Sequence, residues 1–337
     1  MIGARARRSG SLLIITLWLV TILSVFAVAI ARYLSTEIRV TKYRLAREQA
    51  ETLARSGVHL AMERLKHDAE EDKVDWAGDD WAAFPGGDPE DPAKWVVIAR
   101  QDGQGPSGSS ERIEIHITDE ERRLDLNADT TSADLIDAVA GIPGIGQSIV
   151  SYRDQAKLDE DQPDASYYAK NGPIRTFDEL LDIPQVRQQM QKDPAALAPL
   201  FEQTTVYTEG HVNLNTASEQ VLLTLKKPLI DDGTILSSTI QNFVQRRGVG
   251  LDGKLGGNDD CLLTEAPDTL TQLESCIGAD PTRLVENLEH ESSTFRVIAR
   301  GIVAKPPLEY RVEAIVKRSG CPADSFSPCV IAWKEGS

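Results

Sequence analysis

Oxygen-bearing side chains cluster in one short stretch in the C-terminal third of this 337-residue chain. The stretch LDGKLGGNDD contains Asp252, Asn258, Asp259 and Asp260, and a cysteine follows it. Carboxylate and amide oxygens held on a loop are ligands that Ca²⁺ prefers, although the EF-hand spacing is absent and a solvated acidic loop is the alternative. We predict a Ca²⁺ site at Asp252, Asp259 and Asp260. Other donors that could serve instead are Asp159, Asp161 and Asp164.

Four cysteines form two pairs whose members are close in sequence. Cys261 and Cys276 bracket one acidic segment, Cys321 and Cys329 bracket PADSFSP, and no C-x-x-C motif occurs. Short separations of this kind favour disulfides in an oxidising compartment, with buried free thiols as the alternative. We predict the disulfides Cys261–Cys276 and Cys321–Cys329.

The histidines and glycines do not form a recognisable catalytic pattern. The five histidines lack a metal-ligand spacing such as H-E-x-x-H, and no nucleophile elbow or Walker loop occurs. GVGLDGKLGG is rich in glycine, but it opens no recognisable strand–helix phosphate site, so it is not a dinucleotide fingerprint. His116 lies in a strand-like alternation and is predicted to be an exposed surface residue. The stretch GVGLDGKLGG is predicted to be a flexible loop. We therefore expect a protein that is not an enzyme.

A helix–turn–helix pattern begins at LDLNADTTSADLIDAV and continues through the turn IPGIG into QSIVSYRD. Gly144 and Gly146 would supply the unusual backbone angles and the close approach that such a turn needs. The segment HVNLNTASEQVLLTL echoes the first part, and in both copies an Asn precedes a Ser or Thr that can cap a helix. The echo predicts two related helical units.

Helix–hairpin–helix modules that bind DNA use similar turns, because backbone N–H groups at the hairpin hold a phosphate. A membrane-anchored DNA-binding or DNA-uptake protein is therefore the alternative function. The net charge of -16 and the sequence pI of about 4.8 argue against it, since cationic contacts dominate DNA affinity. Around this turn, acidic residues also outnumber Arg153 and Lys157. We expect no nucleic-acid partner.

The N-terminus carries an apolar helix long enough to cross a membrane. Residues 11–30 contain no formal charge, and a helix of that length spans roughly 30 Å. A removed secretory signal would normally have a shorter apolar core than this. Small and apolar residues then recur at helical spacing from Ala46 to Leu65, so the helix is predicted to continue with one face buried. Lys and Arg flank both ends of the span, so charge alone does not set its orientation.

Strand patterns occur on both sides of the helical region. The acidic segment 68–95 is predicted to be a loop, KWVVIAR and ERIEIHITD two strands, and STFRVIARGIVAKPPLEYRVEAIVKR two more strands around a Lys-Pro-Pro turn. Helical patterns fill the interval from Leu124 to Glu289. The predicted fold class is α+β, with a sheet interrupted by a large α-helical insertion.

Several segments are distinctive in combination: the leader ending RRSG, the apolar start SLLIITLWLV, the paired LDLN and VNLNTASEQVL, DASYYAKNGPIRTFDELLDIP, and the closing strands. In this combination the chain resembles the GspK family, the large minor pseudopilins of type II secretion systems. The resemblance covers nearly the whole chain, except the acidic segment 68–94 and GVGLDGKLGGNDDC. It implies a pilin-like fold, a long N-terminal helix packed on an antiparallel sheet, with helix–hairpin–helix-like units inserted.

The resemblance also implies how the chain is divided and processed. It gives a prepilin leader at 1–10, a transmembrane part of the helix at 11–31, a first part of the pilin-like domain at 32–123, the inserted helical domain at 124–289 and C-terminal strands at 290–337. A prepilin peptidase of the inner membrane would cut between Gly10 and Ser11, and the new amino terminus at Ser11 would be methylated. The body would then lie in the periplasm, and family members use calcium in their pseudopilin domains.

The expected role is at the tip of a periplasmic fibre. Family members pack there beside two other minor pseudopilins, GspI-like and GspJ-like proteins, and the insertion makes the head too bulky for interior positions. Most pilin-like subunits carry a glutamate at the fifth mature position, where this chain has Ile15. A carboxylate in hydrocarbon is costly unless it is paired, so a subunit with no neighbour above it does better with an aliphatic residue. A better membrane span is the alternative explanation of Ile15.

Overall fold

The computed structural model describes residues 9–71, 73–79, 81–82, 96–99, 111–154, 170–248, 260–321 and 327–336. One helix dominates it: α1 (Ser9–Glu71) has 63 residues and is about 95 Å long at the usual rise. Every large apolar side chain from Leu12 to Leu45 is exposed, and Ala46 is the first buried residue. The helix thus has an unpacked N-terminal half and a C-terminal half that belongs to the core.

The C-terminal half of α1 lies on one face of an antiparallel five-stranded sheet, whose strand order is β1-β2-β5-β6-β7. The strands are β1 (Val96–Ala99), β2 (Arg112–Asp119), β5 (Thr294–Ala304), β6 (Pro307–Lys317) and β7 (Cys329–Gly336). Ile113, Ile115 and Ile117 alternate with polar residues and pack with the buried alanines of α1 in one apolar core. The turn between β5 and β6 contains a cis Lys305–Pro306 peptide bond.

The helical insertion leaves the sheet after β2 and returns to it at β5. It contains β3 (Leu124–Asp125), α2 (Ala133–Ala140), α3 (Ile145–Arg153), α4 (Pro184–Lys192), α5 (Ala198–Gln203), β4 (Thr204–Thr205), α6 (Glu219–Leu225), α7 (Lys227–Asp231), α8 (Ser237–Arg246), α9 (Thr269–Ile277) and α10 (Thr282–Val285). Short 3₁₀ helices cover Phe177–Asp182 and Pro194–Leu197. Strands β3 and β4 form a parallel pair.

The insertion has two apolar cores of its own. One is built by residues around α2 to α5, including Leu126, Ile136 and Ile149, and the other by residues around α6 to α10, including Leu222 and Phe243. The long α1, the sheet and the intervening helices confirm the predicted α+β fold with a pilin-like body and a helical insertion.

Two local predictions need correction. The segment 68–95 was expected to be a loop, but α1 continues through Asp68 to Glu71. Asp68 stays helical and buried because it pairs with Arg318 across 250 residues of sequence. His116 was expected to be exposed, but it is half-buried in β2, and burial followed by Arg300 and Arg122 lowers its pKa.

Candidate functional site: the anchor helix and the head that it carries

The N-terminal half of α1 is the part of the chain suited to a membrane. Among the described residues, this segment is long and apolar enough to span a bilayer as a helix. Gly10 and Ser11 lie in the first turn of α1, and their side chains fall outside the described residues. Ile15 is 60% exposed, as are its apolar neighbours to a similar extent. This surface is therefore available to lipid or to other helices.

Asn127 organises the first helical unit. Its side-chain Nδ2 donates to the carbonyl oxygens of Ile174 at 2.8 Å and Val206 at 3.0 Å, while its Oδ1 accepts from the Ile174 N–H at 2.7 Å. Ser132 then caps α2 by accepting from the N–H of Leu135. Asn127 thus joins three segments of the unit that are distant in sequence.

Asn215 repeats this arrangement in the second unit. Its Nδ2 donates to the Leu263 carbonyl at 2.9 Å, and its Oδ1 accepts from the Leu263 N–H at 2.8 Å. Ser218 caps α6 by accepting from the N–H of Val221. The two asparagines hold equivalent places in LDLN and VNLN, and a serine caps the next helix in each unit, which agrees with the predicted pair of related units.

An arginine closes each unit in the same way. Arg153, the last residue of α3, donates from Nη1 to the Leu126 carbonyl oxygen at 2.5 Å. Arg247, directly after α8, donates from Nη1 to the carbonyl oxygen of Leu214 at 3.4 Å and of Ala217 at 2.5 Å. Leu126 and Leu214 each precede the clamping asparagine. Neither role could be predicted from the sequence, since a cation gives no local signal for a carbonyl partner far along the chain.

The hairpin between α2 and α3 has the geometry expected of its glycines. Gly144 has φ of 83°, and a β-carbon on Gly146 would lie 2.1 Å from the Ala133 carbonyl oxygen. The N–H groups of both glycines donate to the Asp137 carboxylate, each at 2.6 Å. These are the groups that a helix–hairpin–helix module would offer to a phosphate. A carboxylate of the chain itself fills this anion site, which argues against a phosphate contact here.

The predicted calcium donors are only partly within the described residues. Asp252 and Asp259 lie outside them, as do the alternatives Asp159, Asp161 and Asp164. Asp260 is described, and it is 1% exposed next to the Cys261–Cys276 disulfide. A buried carboxylate at this position is chemically able to serve as one oxygen ligand.

Three other buried carboxylates, those of Asp68, Asp75 and Asp79, approach one another within 4.8 Å. Arg318 donates to Asp68 at 2.9 Å and to both oxygens of Asp75 at 2.9 and 2.8 Å. Because the guanidinium group pairs with two of the three carboxylates, we interpret the cluster as a buried ionic network that holds the end of α1 to the end of β6.

The turn after β2 carries a second ionic network. Glu120 is fully buried and accepts from Arg123 at 2.9 Å, from Arg296 at 2.5 Å and from the Thr205 hydroxyl at 2.6 Å. Burial alone would raise the pKa of Glu120, but Arg123 and Arg296 outweigh it and hold the pKa below its usual value. Arg296 lies in β5 and Thr205 in β4, so Glu120 connects the sheet to the first helical unit.

Both predicted disulfides are present. Cys261 and Cys276 join the segment before α9 to α9 itself, with Cα atoms 5.6 Å apart. Cys321 and Cys329 join the end of β6 to the start of β7, with Cα atoms 6.0 Å apart. The described residues include no free cysteine. The pairing expected from the short separations is confirmed.

Comparison with known proteins gives one informative result. No family model and no curated protein matches the chain. Among solved structures, the chain is similar to one in the crystal structure of the GspK–GspI–GspJ complex from the type 2 secretion system of enterotoxigenic Escherichia coli, with a TM-score of 0.54 and 16% identity. The match covers 88% of this chain and 99% of the other. The chain therefore has the fold of a component of that complex.

Proposed function

We propose that the chain is a minor pseudopilin of a type II secretion system, placed at the tip of the periplasmic pseudopilus, where it helps to start assembly. The observation that carries this proposal is the shared fold with a chain of the GspK–GspI–GspJ complex over 88% of this sequence. The exposed apolar half of α1 supports an inner-membrane anchor, and the two disulfides support a periplasmic body. GspI-like and GspJ-like proteins are the proposed partners.

Processing is part of the same proposal. A prepilin peptidase would cut between Gly10 and Ser11, and Ser11 would become the methylated amino terminus. The cut would leave an α1 that begins at Ser11 and continues with the apolar residues from Leu12 onward. Mass spectrometry of the purified chain tests this directly, because the proposal requires Ser11 as a methylated first residue. An intact leader in cells that process other pseudopilins would contradict it.

The tip position is tested by co-purification in detergent. The full chain is expressed with its candidate GspI-like and GspJ-like partners, and the Ile15→Glu variant should recover less of both. A carboxylate in hydrocarbon is costly unless it is paired, which is the physical reason for the loss. Ile14→Glu is the matched control, since it adds the same charge one position away.

The control separates the two explanations of Ile15. If Ile14→Glu and Ile15→Glu lose partners equally while Gly10–Ser11 cleavage is intact, Ile15 serves only the membrane span. Labelled protein that appears at regular intervals along sheared pseudopili would overturn the tip assignment. Labels confined to one end would support it.

We also propose that the body binds Ca²⁺ through Asp252, Asp259 and Asp260. Asp260 supports this proposal, because its carboxylate is buried beside a disulfide and so offers one oxygen ligand at a fixed place. A ligand at a hundred times its dissociation constant stabilises the native state by about 2.7 kcal/mol.

Calorimetric titration of chelator-treated protein should show Ca²⁺ uptake, which the variant with all three aspartates changed to asparagine should lose. Uptake that persists in that variant would move the ligands elsewhere, and an absence of uptake would end the proposal.

A further inference from the structure

The side chain of Asp119 lies where the chain leaves the sheet for the insertion. It is the last residue of β2 and is 1% exposed. Its Oδ1 accepts from the Glu121 N–H at 2.7 Å, and its Oδ2 accepts from the hydroxyl of Ser292 at 2.7 Å and from the hydroxyl of Thr216. Thr216 belongs to the second helical unit, and Ser292 to the segment that returns to β5. One carboxyl group therefore joins the exit, the insertion and the return.

Neighbouring contacts extend this junction. Ser292 donates from its N–H to Asp75 at 2.6 Å, and its hydroxyl oxygen accepts from Asn213 Nδ2 at 2.8 Å. Ser293 donates from its N–H at 2.9 Å and its hydroxyl at 2.6 Å to Glu121. The return segment is thus held by a set of carboxyl groups.

The charges at this junction are unevenly distributed. Arg318 pairs with Asp68, Asp75 and Glu291. The hydrogen bonds to Asp119 given above come from neutral donors, and the carboxylates of Glu121 and Asp75 act on it as like charges. The titratable and charged residues on the segments that meet here are, by segment, Asp68 on α1, Asp75 and Asp79 after it, Glu120, Glu121, Arg122 and Arg123 in the exit turn, His290 and Glu291 in the return segment, and Arg318 after β6. Of these, Glu120 and Arg123 pair with each other.

An ionised carboxylate in this place is unfavourable. Burial, followed by the charge of Glu121, raises the pKa of Asp119 to about 7, although the hydrogen bonds from Thr216 and Ser292 oppose the shift. Burial also raises the pKa values of Asp75 and Glu121. A carboxylic acid can keep these hydrogen bonds, because a hydroxyl partner is able either to donate or to accept.

We propose that Asp119 and its partners form a proton-dependent clasp, which holds the helical insertion on the sheet most firmly when Asp119 is protonated. In the open clasp Asp119 is solvated and releases its proton at a lower pH than in the closed one. The clasp therefore loosens as the pH rises from about 4, the pKa of solvated Asp119 in the open clasp, to about 7, its pKa in the closed clasp. Above this interval both forms are ionised and the clasp loosens no further.

Hydrogen exchange on the full chain in detergent tests the clasp. After correction for the intrinsic pH dependence, protection of the amides of Glu121, Ser292 and Ser293 should fall between pH 5 and 7 and level off above pH 7. A single proton allows at most a tenfold change per pH unit. The Asp119→Asn variant should make this dependence shallower.

Asp125→Asn is the matched control. Burial also raises the pKa of Asp125, to about 6, but this residue accepts from the Asn127 N–H in the first helical unit. The control should keep the wild-type pH dependence at the clasp amides. Equal slopes in wild type and Asp119→Asn, or protection that does not change between pH 5 and 7, would overturn the proposal.

A second measurement needs no variant. Carbon-13 NMR of the full wild-type chain, with the carboxyl signal of Asp119 assigned through its backbone, should show that this carboxyl titrates near neutral pH. If Asp119 titrates below about pH 5, the clasp does not hold a proton near neutral pH and the proposal is wrong.

Discussion

A β-carbon on Gly301 would lie 1.9 Å from the carbonyl oxygen of Ala50, so β5 and α1 meet at this point without room for a side chain. Gly57 makes the reciprocal contact, because a β-carbon there would lie 2.8 Å from Ile113 and 2.9 Å from Ala299. The helix face that lies on the sheet is otherwise lined by alanines such as Ala54. The position of the head on α1 is therefore set by close backbone packing.

Replacing Gly301 by alanine should destabilise the head by about 1–3 kcal/mol, because the added methyl group must push α1 away from β5. Urea denaturation of the full chain in detergent, followed by tryptophan fluorescence, measures the loss. Gly336→Ala is the control, since a β-carbon on Gly336 would meet no atom within 4 Å. Equal stability of the two variants would mean that the contact is not as close as described.

The elements that were predicted from the sequence are those whose burial follows a local pattern. Ile113, Ile115 and Ile117 face the core at every second position, and α1 continues through alanines at helical spacing. Strand β7 was not predicted individually because it is an edge strand, and residues such as Val330 and Trp333 are exposed. Without a buried face, a strand gives no alternation to recognise.

The buried ionic groups could not be predicted for a different reason. Asp68 belongs to an acidic run that has the composition of a surface loop, and acidic side chains are rarely buried without a partner. Its partner Arg318 lies 250 residues away. The repeated Asn127 and Asn215 were noticed as an echo, but their role as clamps depends on Ile174 and Leu263, which no spacing rule connects to them.

Glu120→Gln should destabilise the chain by about 3 kcal/mol at pH 7, because it leaves Arg123 and Arg296 beside a neutral group in a buried site. The folded-state pKa of Glu120 is below its unfolded value. Glu120 therefore contributes to the free energy of unfolding above its unfolded-state pKa of about 4.5. This contribution is lost as the pH falls through the lower, folded-state pKa. Urea denaturation at several pH values should show the wild-type and variant curves converging in acid.

Asp231→Asn is the control for Glu120→Gln. Asp231 pairs with Lys227 one turn earlier on α7, and both side chains are largely exposed. Exposed pairs of this kind contribute about 0.5 kcal/mol or less. A Glu120→Gln variant as stable as Asp231→Asn at pH 7 would show that the buried pairs add no net stability.

The two disulfides should stabilise the body by similar amounts. The chain-entropy relation gives about 3 kcal/mol for the separation of 15 residues at Cys261–Cys276 and about 2.5 kcal/mol for the separation of 8 at Cys321–Cys329. Each double Cys→Ala variant should lose about this much in urea denaturation, and reductant should then affect only the remaining bond. A wild-type protein that is unchanged by reductant under unfolding conditions would contradict the prediction.

Asp137→Ala should loosen the hairpin between α2 and α3, because it removes the acceptor of the Gly144 and Gly146 N–H groups. Hydrogen bonds to a charged group contribute about 1.5–3 kcal/mol, so the exchange of these two amides should be at least tenfold faster. Asp137→Asn should be intermediate, since an amide has one acceptor oxygen instead of two. Asp134→Ala removes a charge from the first turn of the same helix and should leave both amides unchanged.

In the wild type, inorganic phosphate should not shift the amide resonance of Gly144 or Gly146, because the Asp137 carboxylate already occupies the site that a phosphate would need. A phosphate-dependent shift of Gly144 and Gly146 in the wild-type chain would show that this hairpin can still accept a nucleic-acid backbone.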